Sequence, residues 1–500
     1  MLKARKLIAV SLIFSIIIVS FLFSCSSSQN NADSDSEARE PNPDGGVILD
    51  ESNENDNAET EPEITVDIPD VNYNGEEFKI LYPSDWGLYE NYTFALEDIG
   101  EAMNDSLYKA LRDVEERVNI KIVPSGDGIG ISEIYTALRK DVAAGDNTYD
   151  LALTHCIADL GAIVSSNLLY NWNDMPVCDF DKPYWNQSIN ELLSVKGVLY
   201  YAANDFLLPD PNAIFFNKTL LQNYALESPY ELVKSGKWTW DKLAEMAKPV
   251  SLDLNGDGLF DKEDQYGFSG EQDWMFTSVL HACDQYIIKK DAEDYPNLDL
   301  MTEKTINIIQ KMYDLVYTEN KSYMTAFDSN QYLNMIFHTG RILFQMDTLH
   351  RAEAYRAFDI DFGILPYPKY DDAQKDYIST NWAGLMCVPI NVTSPEKTGV
   401  VAELLGYEYR KTVFPAFYDV LLSSKLSRDD ESVEMLDIIY NNCVYDFGIA
   451  FGQFNAMQYV VSSLLNRRDT DFVSFYERNN TSVQRIYNRV YEDILKNIED

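Results

Sequence analysis

Between residues 76 and 169 the spacing of apolar positions switches back and forth between strand-like and helix-like. Glu76 to Tyr82 (EEFKILY) has strand composition and runs into a Pro83-Ser84-Asp85-Trp86 turn. Leu107, Ala110, Leu111, Val114 and Val118 recur at three and four, the repeat of one helix face. Val118 to Val123 predicts a second strand, and Ile131, Ile134, Tyr135, Leu138 and Val142 a second helical stripe. A short apolar strand, Tyr149 to Thr154, then leads into a helix over Ile157 to Leu169. Strand and helix in alternation predict an α/β fold with a parallel sheet. In such sheets ligands meet the loops at the carboxyl ends of strands, which points to Asp85 and Trp86 and to Thr154 and His155. The glycine-rich Gly126 to Gly130 lacks dinucleotide-loop spacing and reads as a loop before a helix. No internal repeat is evident.

The first 72 residues follow a different pattern. Lys3, Arg5 and Lys6 precede an apolar or small stretch, Leu7 to Phe23, which has the build of an export signal. At ~1.5 Å per residue its 17 residues would rise ~26 Å, so a retained membrane anchor is the competing reading. Leu22-Phe23-Ser24-Cys25 resembles the bacterial lipobox, which implies cleavage after residue 24 and a lipid on Cys25. From Ser26 to Thr65 there are twelve acidic residues and one basic, with Ser, Asn and Pro between them. Such a stretch cannot bury enough apolar area to offset its chain entropy. Residues 25–72 are therefore expected to be a disordered tether reaching roughly 40 Å. Both readings of the leader place the remainder outside the cytoplasm.

Composition narrows the function classes. Five hundred residues, 46% of them hydrophobic, exceed one ordinary core, so two domains or lobes are expected. A net charge of −41 opposes binding to nucleic acid or to an anionic membrane surface. The four histidines, His155, His281, His338 and His350, share no metal-ligand spacing. Beyond Cys25 the five cysteines are widely spaced and odd in number, a pattern of buried core residues with at most one or two bridges.

Several segments further along resemble one family. Val198 to Asn204 (VLYYAAN), followed by Ala213-Ile214-Phe215-Phe216-Asn217-Lys218, is similar to the ligand loop and following strand of bacterial extracellular solute-binding proteins, the maltose-binding-protein-like receptors of ABC importers. The resemblance continues through Trp238-Thr239-Trp240-Asp241-Lys242-Leu243, where Thr239 suits a helix N-cap. It continues through Tyr266-Gly267-Phe268, Gly340 to Met346, Phe362 to Pro368, and Val388 to Asn391 with Ser394 to Lys397. Each motif is weak alone; their order across residues 76–411 carries the weight. The resemblance implies a type II periplasmic-binding-protein fold, two α/β lobes joined by a hinge of crossing strands around a ligand cleft. It places lobe one at 73–208 with 378–410, and lobe two at 209–377 with 411–500.

The sharpest chemical motif is residues 253–264. Asp253, Asn255, Asp257, Asp261 and Asp264 stand at positions 1, 3, 5, 9 and 12 of a calcium-loop pattern, with Gly258 at 6 and the Leu259 carbonyl at 7. Asp264 is a shorter arm than the usual Glu, which resembles dockerin loops and implies weaker binding. The competing reading is an Asn-Gly-Asp-Gly turn with solvated acids. A calcium ion here would be structural.

Sugar sites combine aromatic faces with Asp, Asn, Gln and His as hydroxyl partners. Trp86, Trp274 and Trp382, with Asp85, Gln272 and Asn381 beside them, fit that chemistry, as do Asn204, Asp205, Asp347 and His350 near the family's crossing strands. For each Trp, core packing is the competing role; for His155 and His350, a structural hydrogen bond is. With 81 acidic residues, carboxylate pairs alone say nothing about glycosidase chemistry. Nucleophile-elbow, P-loop and HExxH motifs are lacking. The expectation is a monomeric, lipid-anchored, non-catalytic receptor on the outer face of the cell membrane. It would deliver a small solute, foremost an oligosaccharide, to an ABC permease. A surface carbohydrate-active enzyme, or the same fold binding peptide, polyamine or organic anion, are the alternatives.

Overall fold

A computed structural model of the chain describes residues 64–85, 92–126, 128–318, 322–325, 336–422 and 430–499. Cys25, most of the tether and Trp86 lie outside the described residues. β1 (Glu76–Leu81), β2 (Ile120–Ser125) and β3 (Leu151–His155) are parallel, with β1 in the middle. The central place of β1 explains why Phe78, Ile80 and Leu81 are all fully buried, whereas edge strand β2 alternates buried Ile120 and Ile122 with exposed Lys121. β2 starts two residues later than expected. The helix Ala102–Val118 keeps Val118 and stops at Asn119, which takes a left-handed φ of 49° and donates its N–H to the Glu115 carbonyl. The helix expected over 157–169 is confined to Leu160–Ser165, because the chain turns after His155 and Asp159 adopts φ 43°.

The second sheet draws on β4 (Asn212–Asn217), β5 (Tyr266–Glu271), β8 (Tyr323–Thr325), β9 (Ile342–Thr348) and β10 (Phe362–Leu365), in the order β10-β4-β9-β5-β8. Between them β6 (Ile288–Lys290) and β7 (Pro296–Leu298) form a hairpin. Thr239 caps the helix Trp240–Ala247 as expected, its hydroxyl accepting the Lys242 N–H at 3.2 Å. The last strands are β11 (Ser379–Thr380), β12 (Gly384–Cys387) and β13 (Cys443–Val444); β11 pairs β13, and β12 returns to the first sheet antiparallel to β3.

The chain thus leaves the first sheet before β4 and comes back to it at β12. The two crossings touch: the Asp210 N–H donates to Asn381 Oδ1 at 2.9 Å and the Trp382 N–H to the Asp210 carbonyl at 3.2 Å. Residues 64–72, counted above with the tether, are laid on the globule, where Ile64, Val66, Ile68 and Val71 pack against the core. The period-two alternation of Ile64, Val66 and Ile68 is a burial signal that the acidic composition around it obscured. The C-terminal helix Phe472–Glu499, about 42 Å long, does not keep to second-sheet elements. Gln484 accepts the Leu298 N–H of β7 at 2.9 Å, while Asn497 donates to the Val164 carbonyl at 2.9 Å. The five described cysteines are all free, and all but Cys178 are buried.

Candidate functional site

The carboxyl ends of β3, β5 and β9, with the two crossings between them, gather most of the residues singled out in the sequence. β5 and β9 pair in parallel with Ser269 opposite Gln345, so Glu271 and Asp347 follow two residues on, side by side on one face. Both are fully buried. Burial pushes the Glu271 carboxyl up to about 8, against the stabilising hydrogen bond from Trp274 Nε1 to Glu271 Oε2 at 3.0 Å. Asp347 is also raised by burial, opposed by Arg351 and by hydrogen bonds from the Tyr355 hydroxyl at 2.5 Å and the Thr348 N–H at 2.9 Å.

Trp274 is part-exposed and meets the buried Trp382 edge to face, ring centroids 5.2 Å apart at 79°. Trp382 is fixed through Nε1, which donates to Asn212 Oδ1 at 2.7 Å and reaches Ser278 Oγ at 3.2 Å. Gln272 donates to the Tyr317 hydroxyl at 2.9 Å. His350 Nδ1 lies 2.8 Å from Asp210 Oδ2 and 2.8 Å from Thr348 Oγ1, which ties β9 to the outgoing crossing. Asn381 accepts from the N–H groups of Asp210 and Ala383.

The other predicted residues are held within the fabric of the protein. Thr154 is buried within β3. His155 is buried at its end, where Nδ1 accepts the Ile157 N–H at 3.3 Å and burial lowers the imidazole to about 4, leaving it neutral at pH 7. Asn204 bonds the Ala402 carbonyl at 2.9 Å and the Phe206 N–H at 3.1 Å. Asp205 grips the Arg410 guanidinium, and burial still lifts its carboxyl to about 7. Asp85 is exposed and accepts the Ile131 N–H at 2.9 Å, bracing the loop before the helix Ile134–Ala144.

Two sheets linked by touching crossings, with strand ends and a tryptophan pair between them, match a known architecture. A family model described as bacterial extracellular solute-binding protein matches residues 96–397, more than half of the chain. The chain belongs to the bacterial extracellular solute-binding proteins. Solved structures of two-lobe type II binding proteins share its fold. A cyclo/maltodextrin-binding protein complexed with maltotetraose gives a TM-score of 0.54 at 14% identity, covering 84% of this chain and 97% of that one. The cyclic alpha-maltosyl-1,6-maltose binding protein from Arthrobacter globiformis gives 0.53 at 13%, covering 84% and 98%. An ABC substrate-binding protein from Listeria monocytogenes in complex with cycloalternan gives 0.51 at 13%, covering 85% and 99%. No curated protein sequence matches the chain. Membership of this family of extracellular proteins puts the globule outside the cytoplasm. Among the described residues no helix is long and apolar enough to cross a membrane.

In this solute-binding protein sequence reasoning missed Asp210, Asn212 and Glu271, which organise the crossings and the tryptophan pair. Glu271 carried a usable signal, being an acid that ends a strand otherwise built of buried residues. The calcium-type loop is folded on itself. Asp253 accepts the N–H groups of Gly256 and Gly258 at 2.7 and 2.8 Å, Asp257 that of Leu259 at 2.8 Å, and the buried Asp264 those of Leu254 and Asp261 at 2.9 and 3.0 Å. Gly256 and Gly258 take φ of 74° and 82°, the left-handed geometry such a loop demands. The oxygen donors suit calcium in type. Among the described residues, however, no three carboxylate, imidazole or thiol groups converge on one metal position.

Proposed function

We propose that the protein is a lipid-anchored receptor, held through Cys25, that captures an oligosaccharide by closure of its cleft and delivers it to the permease of an ABC importer. The observation that carries the carbohydrate reading is the tryptophan pair at the end of β5. Trp274 offers a part-exposed ring, locked by its bond to Glu271 and by Trp382, next to Gln272 and Asp273 as polar partners. A rigid aromatic face flanked by hydrogen-bonding side chains is the chemistry that pyranose rings require. The maltotetraose and cycloalternan named for proteins of the same fold agree with it.

The lobes are 73–208 with 378–410 and 209–377 with the tail, and closure follows from ligand affinity that is greater in the closed state. The receptor acts as a monomer and without turnover, and a calcium ion in 253–264 serves stability only. The test is a thermal-shift screen of the chain lacking residues 1–24, in calcium buffer, against saccharides, peptides, polyamines and organic anions. A saturable rise in melting temperature with one saccharide family and no product supports the reading; a response confined to another class overturns the carbohydrate assignment, and turnover overturns the receptor. Trp274→Ala should then weaken saccharide binding about tenfold, or about 1.4 kcal/mol; unchanged affinity by calorimetry removes Trp274 from the site.

A further inference from the structure

The loop after β1 and the helix after β9 meet through one hydrogen bond. Tyr92 lies on that loop and belongs to the first-sheet side. The carbonyl of the next residue, Thr93, accepts the Tyr409 hydroxyl at 2.5 Å, and the Phe94 ring packs on Tyr82 and Phe206, centroids 5.0 and 5.7 Å away. Glu353 lies on the helix Arg351–Arg356 and belongs to the second-sheet side. Arg351 and Tyr355 of that helix flank Asp347 of β9, the Tyr355 hydroxyl donating to it at 2.5 Å. Between the two sides the Tyr92 hydroxyl donates to Glu353 Oε2.

The partners differ in setting. Tyr92 is buried, its ring edge-on to Phe417 with centroids 5.8 Å apart at 70°, whereas Glu353 is exposed. A carboxylate accepting from a hydroxyl makes a charge-assisted bond, stronger than a neutral one. Both partners follow the carboxyl ends of strands, the ends that flank the candidate cleft. A rotation that opens the cleft parts them, and one that closes it brings them together.

The rest of this flank is of another kind. The helix Phe414–Leu422 packs on the helix Ala102–Val118, and the helix Asp430–Asn441 packs on β10. Between them Tyr440 meets Phe414 and Tyr418, centroids 5.5 and 5.2 Å away. Apolar ring contacts are largely non-directional and survive a small rotation. A hydrogen bond weakens steeply once its angle and distance are lost. The Tyr92–Glu353 bond is therefore the contact here that a rotation of the lobes makes or breaks.

We propose that Tyr92 and Glu353 form a latch across the cleft that holds a share of the empty receptor closed, so that closure does not depend on ligand contacts alone. This inference rests on the closure mechanism above and goes beyond it by assigning part of the closing free energy to the protein's own side chains. A ligand then has less to supply, and its apparent affinity rises with the share already closed. The test is small-angle scattering, without ligand, of the chain lacking residues 1–24 and of its Tyr92→Phe, Glu353→Ala and double variants, with Glu353→Trp as a wedge. Tyr92→Phe keeps the ring on Phe417 and removes only the hydroxyl. Losing a hydrogen bond to a carboxylate should shift the open-to-closed ratio roughly tenfold or more. Expected is a larger radius of gyration than wild type in both single variants and no further increase in the double, since all three lack the same bond. An increase that adds in the double overturns the bond as its cause. Unchanged single variants beside an enlarged Glu353→Trp overturn the latch and leave the lobe motion standing; no change in any variant, the wedge included, overturns the closure mechanism as well. Should Tyr92→Phe fold poorly, Glu353→Ala, at an exposed helix position, decides alone.

Discussion

Glu271 and Glu403 show how much an individual buried carboxyl can govern. Glu271 has a folded-state value of about 8 against an ordinary 4.5 because burial disfavours its charge. The unfolded chain releases this proton at lower pH than the folded one, so Glu271 makes the protein progressively less stable as pH rises from 4.5 to 8. Glu271→Gln keeps an acceptor for Trp274 Nε1 and removes that ionisation. Its melting temperature should gain on the wild type as pH is raised from 5 to 9; a difference independent of pH would show that Glu271 does not titrate there. Glu403 works by satisfying donors: the Tyr184 hydroxyl at 2.6 Å, Trp185 Nε1 at 3.1 Å and the Asp179 N–H all point at it. Glu403→Ala strands three polar groups in the interior and should cost about 3 kcal/mol or more in urea unfolding. A loss below about 1 kcal/mol would mean that water takes over the role.

At the scale of elements, the calcium-type loop and the last helix are the instructive cases. The twelve-residue spacing is complete in the sequence, yet its acids are turned onto the loop's own N–H groups. Ion binding and self-capping are not exclusive, because a carboxylate oxygen has a second lone pair. Asp257→Ala should lower the melting temperature further in calcium than in chelator, where its bond to the Leu259 N–H is still lost; an equal loss in both would reduce the loop to a capped turn. The last helix buries one stripe, Phe475, Val483, Tyr487, Val490 and Ile494, at spacings that keep to one helix face. Its partners were not legible, since periodicity tells which face is buried and never against what. Its 28 residues give it the length to reach Val164 and β7 together.

For the molecule as a whole, the proposed closure rests on the two sheets and the crossings between them. The His350–Asp210 pair and the Asn381 and Trp382 bonds hold the crossings in register, so motion should be rigid-body rotation about them. Small-angle scattering of the chain lacking residues 1–24 should show a smaller radius of gyration at a saturating concentration of a saccharide that binds. An unchanged radius with demonstrated binding would sink the closure mechanism.

Periodicity alone determined the βα order of the first sheet, because strand and helix spacings differ whatever lies around them. Motif order likewise determined the family, and composition the strongly acidic character of the segment before residue 64. Which polar residues face a ligand was settled only by the tertiary arrangement. Asn204 and Asn381 look in sequence like free hydrogen-bonding groups, but bonds across 198 and 171 residues consume them. Phe454 looks in sequence like one more core aromatic, yet its ring is 56% exposed. Sequence fixes a side chain's chemistry; whether that chemistry is left unspent depends on partners that the fold brings from far along the chain.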